Sequence, residues 1–268
     1  MTRLRVVTWN INSLRLRLPL LGRVVSELAP DVICLQETKV PDELFPVDAP
    51  AALGFPHVAY RGMKGYNGVA ILSRIPLTVM PEMPEWCGKQ DCRHVAVTLD
   101  VPSGPIALHD FYVPAGGDVA DRTVNEKFGH KLDFVAEATE YFKKHETLMR
   151  TVLVGDLNIA PLEHDVWSHK QLRDVVSHTK VETEGLTAWL DGHFYDALRH
   201  FVPADEKLYT WWSYRNRDWR VANRGRRLDH VWVTPDLKDG LRGHTILKDA
   251  RDWPQTSDHV PVCVEMEV

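Results

Sequence analysis

The sequence predicts an α/β protein, and two observations support that prediction. Short apolar, β-branched runs alternate with segments of helical spacing, with no low-complexity linker and no short repeat between them. Several of the apolar runs also place a carboxylate, an amide or an imidazole at or near one end. The runs are residues 4–9, 32–36, 151–155, 226–233 and the last one of the chain, and their polar groups are Asn10, Glu37, Asp156, Asn158, Asp229, Asp258 and His259.

The first helix is predicted between Pro19 and Pro30. Proline is favoured at the first position of a helix, because an N–H group would have no helical partner there. Apolar residues at positions 21, 24, 25 and 28 have helical spacing, and Pro30 stops the helix. The chain then returns through the apolar strand that ends before Glu37.

The region from residue 57 to residue 113 is predicted to form a β-rich meander. Its strand-like runs are residues 57–60, 68–73, 92–101 and 106–113. Turn signals separate the runs, among them the sequence Pro-Ser-Gly-Pro at 102–105.

The longest predicted helix covers residues 121–145. Its apolar residues recur at helical spacing, at Val124, Phe128, Leu132, Val135 and Phe142. Lysines at 143 and 144 lie near the end of this helix, where positive charge suits the helix dipole.

The next strand, residues 151–154, is predicted to present two polar side chains to one cavity. It ends in Gly155-Asp156-Leu157-Asn158. Gly155 allows the backbone to approach a ligand closely, and the two-residue period of a strand points Asp156 and Asn158 to the same side.

Length and composition predict one globular domain over residues 1–268. The chain is 44% hydrophobic and 26% charged, which is ordinary for globular proteins. The first apolar run is too short for a signal peptide, and no apolar segment approaches the length of a membrane span. The four cysteines lack zinc-site spacing, so we expect reduced thiols. These features predict a cytoplasmic protein with no membrane partner.

Charge is distributed unevenly along the chain. The formal net charge of −5 argues against a protein that coats nucleic acid without specificity. Residues 215–227, however, contain six arginines and a single acid, Asp218. This segment is a candidate for phosphate contacts, and a solvated arginine-rich loop is the alternative.

The polar groups at the strand ends point to phosphate chemistry. A packed α/β protein has no structural need for so many acids and amides there, whereas a hard divalent cation and a phosphate ester require such convergence. The residues alone therefore predict a metal-dependent phosphodiesterase.

Six short motifs lie along the chain in a characteristic order. They are Trp9-Asn10-Ile11-Asn12, Leu35-Gln36-Glu37-Thr38-Lys39, Gly65-Tyr66-Asn67-Gly68-Val69-Ala70, Gly155-Asp156-Leu157-Asn158, Arg227-Leu228-Asp229 and Ser257-Asp258-His259. In this order they resemble the signatures of the exonuclease III family of abasic-site endonucleases, within the endonuclease/exonuclease/phosphatase superfamily. The resemblance implies a four-layer α/β sandwich like that of deoxyribonuclease I, in which helices flank two packed mixed β-sheets.

The resemblance also implies a metal site and a set of catalytic residues. Glu37 resembles the principal Mg²⁺ ligand, with Asn10 beside it and Asp258 as a further ligand, and Mn²⁺ is an alternative ion. Asp156 resembles the group that activates the attacking water. The resemblance implies four further catalytic residues. Asn158 would hold water or phosphate, and the hydroxyl of Tyr112 would approach the phosphate. His259 would contact phosphoryl oxygens, with Asp229 orienting its ring.

DNA recognition is the third implication of the resemblance. An apolar pocket at Trp211 and Leu228, with Trp212 behind or beside them, would admit a base-free sugar and exclude an intact nucleotide. Further substrate contacts are expected from Asn12, Lys64, Asn67, Arg215, Arg217, Arg220 and Arg224. Two residues depart from the family pattern, because Ala115 stands where many relatives have an amide and Arg226 where some have a bulky aromatic residue.

The function that the resemblance implies is Mg²⁺-dependent repair of double-stranded DNA. No interface signal in the sequence points to an oligomer, so we expect a monomer. The expected reaction is cleavage of the backbone 5′ to abasic sites, together with 3′-to-5′ exonuclease activity and trimming of blocked 3′ ends. Two alternatives stay open: a phosphatase or phosphodiesterase of the same fold that acts on inositol or lipid headgroups, and a non-catalytic nucleic-acid-binding relative.

Overall fold

The computed structural model describes residues 2–81, 83–144 and 149–268. The strands are β1 (Arg3–Asn10), β2 (Val32–Gln36), β3 (His57–Arg61), β4 (Val69–Ser73), β5 (Leu77–Val79), β6 (His94–Leu99), β7 (Ile106–Tyr112), β8 (Thr151–Asp156), β9 (Tyr195–Asp196), β10 (Trp211–Trp212), β11 (Gly225–Arg226), β12 (Asp229–Val233), β13 (Leu241–Ile246) and β14 (Val262–Glu267). The α-helices are α1 (Leu14–Leu28), α2 (Asp48–Ala52), α3 (Glu126–Lys144), α4 (His169–Leu172), α5 (Lys180–His193), α6 (Ala197–Phe201) and α7 (Trp219–Ala222). Short 3₁₀ helices lie at Asp42–Leu44, Trp86–Gly88, Glu163–Asp165, Pro235–Gly240 and Lys248–Asp252.

Two six-stranded mixed sheets pack face to face, and helices cover their outer faces. The first sheet has the strand order β13-β14-β1-β2-β4-β3, and the second has the order β5-β6-β7-β8-β12-β9. The apolar core between the sheets includes Val6, Cys34, Leu108 and Val152. Helix α1 packs on the outer face of the first sheet, and α3 and α5 pack on that of the second. This is the predicted four-layer α/β sandwich, and none of the helices within the described residues is long and apolar enough to cross a membrane.

The strand pairing brings the polar ends of several strands to one edge of the sandwich. Strands β1 and β2 are parallel, and Asn10 pairs with Gln36. Asn10 therefore lies next to Glu37, the residue that follows β2. Strand β12 runs antiparallel to β8, and its first residue, Asp229, pairs directly with Asp156, the last residue of β8. Strand β7 is parallel to β8 and places Tyr112 beside Asp156.

The first helix begins five residues earlier than predicted. Helix α1 starts at Leu14 and contains Pro19, and it ends before Pro30 as expected. The start is fixed by tertiary contacts, because the backbone N–H groups of Ser13 and Leu14 donate to the carbonyls of Glu37 at 2.7 Å and Thr38 at 3.0 Å. The prediction that Pro19 opens the helix was therefore wrong.

Helix α3 begins five residues later than predicted. Asp121 Oδ1 accepts hydrogen bonds from the backbone N–H and the hydroxyl of Thr123, at 2.8 and 2.7 Å, and this local turn competes with the helix. Val124, counted in the predicted apolar face, is 75% exposed. The predicted last residue, His145, lies outside the described residues.

The middle region forms strands as predicted but does not form one meander. Strands β3 and β4 join the first sheet, whereas β6 and β7 join the second, together with the short strand β5 that the sequence did not indicate.

Gly155 permits two strands, not a ligand, to approach closely. Its φ is 142°, and a Cβ atom at this position would lie 1.9 Å from the carbonyl oxygen of Phe111 in β7. Glycine is therefore required for the pairing of β7 with β8 that sets the position of Asp156.

Candidate active site

Asn10 connects the two sheets at the centre of the site and is fully buried. Its Nδ2 donates to Glu37 Oε1 at 2.9 Å and to Asp156 Oδ2 at 2.8 Å, and its Oδ1 accepts from the backbone N–H of Asn12 at 3.0 Å. Because its amide hydrogens hold two carboxylates, Asn10 positions the acids in this arrangement. Its role as a metal ligand stays a prediction.

Glu37 follows β2 in a left-handed backbone conformation, with a φ of 51°. Its Oε2 lies 2.8 Å from the ammonium nitrogen of Lys39, which also donates to Asn12 Oδ1 at 2.6 Å. Burial alone would raise the pKa of Glu37, but hydrogen bonds from Asn10 and Lys39 lower it. The carboxylate is therefore ionised and available to a cation.

His259 is held between two carboxylates. Its Nδ1 lies 2.9 Å from Asp229 Oδ2, and its Nε2 lies 3.6 Å from Asp156 Oδ2. The hydroxyl of Thr210 donates to the same Asp229 oxygen at 2.6 Å and accepts from the backbone N–H of Asp229 at 3.1 Å. The hydroxyl of Ser257 accepts from the backbone N–H of His259 at 3.2 Å. These contacts fix the orientation of the imidazole ring.

The charges of His259 and Asp156 depend on one another. Burial alone would lower the pKa of His259, but the Asp229 and Asp156 carboxylates raise it to about 10. Burial raises the pKa of Asp156 to about 7, with further contributions from Asp229 and Glu37 and against the opposing effect of His259. His259 is thus an imidazolium at neutral pH, and Asp156 is a base poised near neutrality.

The donor atoms of the site fit a hard divalent cation. Among the residues that the structure describes, the ligand atoms of Asp156, Asp229 and His259 lie within 4.8 Å of one another. An imidazolium has no free lone pair, and Nδ1 of His259 is already bonded to Asp229, so His259 does not fit as a ligand. The oxygen donors of Glu37 suit a hard cation better. The site also has excess negative charge, because Lys39 and His259 face four carboxylates, those of Glu37, Asp156, Asp229 and Asp258.

Asp258 lies at the rim of the site. Its Oδ1 accepts from Asn12 Nδ2 at 3.2 Å, and its Oδ2 accepts from the indole N–H of Trp211 at 2.9 Å. Asn12 connects it to Lys39 and, through Lys39, to Glu37. The structure therefore connects the predicted ligands Glu37 and Asp258 through two intervening side chains.

Tyr112 ends β7 and is 7% exposed. Burial and the charges of Glu37 and Asp156 raise the pKa of Tyr112 well above its ordinary value, so its hydroxyl keeps its proton. The guanidinium of Arg93 lies 5.0 Å from the ring centroid. The structure thus places Tyr112 beside the two acids, and contact of its hydroxyl with a phosphate stays a prediction.

Asn158 meets Asp156 through a left-handed turn, with a φ of 53°, rather than through the strand period. Its Nδ2 donates to Asp156 Oδ2 at 3.1 Å and to the carbonyl of Val113 at 2.9 Å. Its own carbonyl accepts from Lys131 Nζ at 2.8 Å, and Lys131 lies 2.5 Å from Glu182 Oε1. This buried ion pair holds the turn in place, because Lys131 and Glu182 link α3 and α5 to it.

Lys131→Met is expected to destabilise the fold by about 3–5 kcal/mol, because it leaves the Glu182 carboxylate buried without its cation. The free energy of unfolding in urea, followed by circular dichroism, measures this loss. The matched control is Lys143→Met, since Lys143 pairs with Glu140 on the exposed face of the same helix. An equal, small effect of both substitutions would contradict the structural role of the buried pair.

A cavity of about 640 Å³ opens beside the site. Its lining includes Asn158, Trp167, Trp211, Arg226 and Leu228, so the predicted pocket residues Trp211 and Leu228 do lie together. Trp212, by contrast, does not line the cavity. It is 1% exposed, packs on Tyr209 and Trp219, and donates its indole N–H to Asn223 Oδ1 at 3.1 Å. Contact between Trp212 and substrate is therefore not supported.

The predicted phosphate-binding residues separate into two groups. Arg215 and Arg224 line the cavity, and Arg217 and Lys64 are exposed. Arg220, by contrast, is held by Asp249 at 2.6 Å and Asp252 at 2.5 Å.

Asn67 is also engaged within the protein. It is 6% exposed, and its Nδ2 donates to the carbonyl of Asp91 at 2.8 Å. Because this nitrogen is engaged within the protein, the structure does not support the predicted substrate contact of Asn67.

Several residues of the site were not assigned from the sequence. Thr210 lies in the aromatic run at 209–214, but its bond to Asp229 depends on the pairing of β10 with β11, the strand that precedes β12. Lys39 lies in a motif that the sequence did identify, although its link between Glu37 and Asn12 was not predicted. No sequence signal related Lys131 to Glu182, which are 51 positions apart.

Comparison with known proteins gives matches over nearly the whole chain. Residues 7–259 match the Endonuclease/Exonuclease/phosphatase family. The chain is 30% identical to "Exodeoxyribonuclease III" of Haemophilus influenzae over 272 residues, which covers 98% of this chain and 100% of that protein.

Solved structures similar to this one include two DNA-processing enzymes. The 3′ phosphatase NExo from Neisseria, bound to a product DNA hairpin, has a TM-score of 0.89 and 29% identity. An AP endonuclease from Archaeoglobus fulgidus has a TM-score of 0.88 and 30% identity. Each similarity covers 99% of this chain and 100% of the other.

Proposed function

Because this chain belongs to the endonuclease/exonuclease/phosphatase family, in its exonuclease III branch, we propose that it is a DNA repair nuclease that hydrolyses phosphodiester bonds in double-stranded DNA. Its proposed substrates are abasic sites, which it cleaves on their 5′ side, and blocked 3′ ends, which it trims. We also propose that it has 3′-to-5′ exonuclease activity. We further propose that residues 1–268 act as one domain and as a monomer in the cytoplasm.

The observation that carries this proposal is the meeting of remote residues in one hydrogen-bonded site. Glu37, Asn10 and Asp156 are joined by direct bonds across the two sheets, and His259 and Asp229 adjoin Asp156. Hydrolysis of a phosphodiester develops negative charge on the phosphoryl oxygens and on the leaving oxygen, so fixed dipoles and cations stabilise its transition state.

The residues divide the proposed reaction among them. A water oxygen attacks phosphorus, one water proton passes to Asp156, and the P–O3′ bond breaks. The departing 3′ alkoxide takes a proton from solvent, so the products are a 3′ hydroxyl and a 5′ phosphate. Asn158 orients the water or the phosphate, and the imidazolium of His259 donates a hydrogen bond to a phosphoryl oxygen. Asp229 keeps the imidazole oriented, and the Tyr112 hydroxyl donates to the scissile phosphate.

Mg²⁺ is the ion that we propose for the site, and Mn²⁺ is an alternative. Glu37 would hold it, with Asp258 and Asn10 as further ligands. Oxygen donors suit both ions, and a divalent charge would balance the excess of carboxylates. When bound, the ion supplies positive charge that polarises the scissile phosphate.

The substrate contacts follow from the cavity and the exposed basic residues. Trp211 and Leu228 would contact a sugar without its base, because an intact nucleotide is larger. Phosphates of the duplex would be contacted by a set of polar residues that comprises Asn12, Lys64, Arg215, Arg217 and Arg224.

A duplex with one tetrahydrofuran abasic analogue tests the proposal. We expect cleavage immediately 5′ to the analogue with Mg²⁺ and none after chelation with EDTA. Binding without cleavage would indicate a non-catalytic relative. Hydrolysis of an inositol polyphosphate or a phospholipid headgroup, with the duplex left intact, would overturn the assignment to DNA.

A further inference from the structure

Arg226 places a positive charge in the wall of the cavity beside Asn158 and Trp211. Its Nη1 donates to the carbonyl of Val176 at 2.9 Å and to the hydroxyl of Ser177 at 2.6 Å. The guanidinium carbon lies 5.5 Å from the centroid of the Trp211 ring. These contacts hold the guanidinium in the cavity wall. Both hydrogen bonds are donated by Nη1.

Arg226 has no ion-pair partner among the described residues, although other arginines nearby do. Arg227, its neighbour in sequence, pairs with Asp165 and Asp196, and Arg220 pairs with two exposed acids. The carboxylate whose charge acts on Arg226 is that of Glu182, which pairs with Lys131. The positive charge of Arg226 is therefore partly buried and uncompensated.

Two more arginines line the same cavity. Arg224 lies with its guanidinium 4.8 Å from the centroid of Trp167, and Arg215 is exposed at the mouth. Neither forms an ion pair within the parts of the chain that the structure describes. Asp118 also lines the cavity, but it is exposed and not paired with these arginines.

This charge distribution favours a ligand that carries an anionic group. A base-free sugar can pack on Trp211 and Leu228, but it is neutral and would leave the partly buried guanidinium of Arg226 without compensation. An anionic group would instead supply the missing partner, and it could accept from the guanidinium nitrogens that Val176 and Ser177 leave free.

We propose that this cavity is an anion-binding subsite and that Arg226 is its specificity-determining residue. This inference rests on the proposed function. Its ligand is a DNA lesion or strand-end remnant that is esterified to the scissile phosphate and carries a second anionic group, a carboxylate or a phosphate. The subsite takes this second anion, while the scissile phosphate lies at Asp156 and His259.

The test compares three gapped duplexes that differ only in the remnant on the 3′-terminal phosphate. The remnants are glycolate, which ends in a carboxylate, 2-hydroxyethyl, which is neutral, and 2-phosphoethyl, which ends in a phosphate. For the wild-type protein we expect kcat/KM to be about tenfold higher for an anionic remnant than for the neutral one. The two anionic arms identify which anion the subsite prefers.

Arg226→Gln should bring this ratio close to one and leave kcat/KM for the neutral remnant nearly unchanged. Arg226→Lys, which keeps the charge, should restore part of the preference. Arg220→Gln is the matched control, because Arg220 is paired outside the cavity, and it should keep the wild-type ratio. A comparison of ratios removes any general effect of charge on DNA binding.

The outcomes separate the two proposals. If wild-type protein cleaves none of the three duplexes and no abasic duplex, the proposed function fails. If it cleaves all three equally, or if Arg226→Gln lowers all three rates by the same factor, the anion subsite is wrong while the nuclease assignment stands. Thermal unfolding of each variant, with an unchanged Tm, shows that a changed ratio does not come from misfolding.

Discussion

Glu37→Gln is expected to lower kcat/KM for Mg²⁺-dependent cleavage by about 10⁴-fold, because it removes the charge proposed to hold the ion, a contribution of several kcal/mol. Glutamine keeps the size of the side chain, and its carbonyl oxygen can still accept from Asn10 Nδ2. The fold should therefore persist. Steady-state kinetics on the abasic duplex measure the loss of activity, and isothermal titration calorimetry with Mg²⁺ measures the loss of metal binding separately.

The matched control for this substitution is Glu43→Gln, since Glu43 is exposed in the 3₁₀ helix at Asp42–Leu44. The control should retain both activity and Mg²⁺ affinity. Full activity of Glu37→Gln, or Mg²⁺ binding unchanged by it, would refute the assignment of Glu37 as the principal ligand.

Asp156→Asn is expected to lower kcat by up to about 10⁴-fold, the upper range for a general base. An amide cannot take the proton of the attacking water. It would also present hydrogens to the Asn10 and Asn158 amides, which now donate to this carboxylate at 2.8 and 3.1 Å. Single-turnover kinetics isolate the chemical step, and DNA binding by fluorescence anisotropy should change little.

Asp110→Asn provides the control for this second substitution. Asp110 is also fully buried, in β7, and accepts from Gln36 Nε2 at 2.6 Å. Burial raises the pKa of Asp110 well above its ordinary value, which favours the neutral acid, so an amide is a close substitute. Comparable single-turnover rates for wild type and Asp156→Asn would remove Asp156 from the proposed chemistry.

The sequence predicted the parts of the fold that depend on local patterns. Strands β1, β2 and β8 were located to within one or two residues, because buried strands of apolar, β-branched residues leave a strong signal. Their polar ends, Asn10, Glu37 and Asp156, were identified for the same reason. The four-layer arrangement and the order of the motifs came from the family resemblance, since strand patterns alone do not specify which sheet a strand joins.

What the sequence did not predict depends on contacts between distant segments. Helix α1 begins where Glu37 and Thr38 supply acceptors, and no local rule contains that information. Thr210 reaches Asp229 only after β10 has paired with β11, the strand that precedes β12. Arg220 was assigned to phosphate on charge alone, but Asp249 and Asp252, about thirty positions away, hold it. Pairing partners of this kind are visible only in three dimensions.

The bond between Asn10 and Asp156 crosses the interface of the two sheets, and this has a consequence for how the protein loses activity. Glu37 and Asn10 belong to one sheet, and Asp156 and Asp229 belong to the other. A slip of an ångström between the sheets would separate the acids while most helices and strands stayed intact. Mild heat or denaturant is therefore expected to inactivate the protein before it unfolds. The catalytic rate then reports on the alignment of the two sheets.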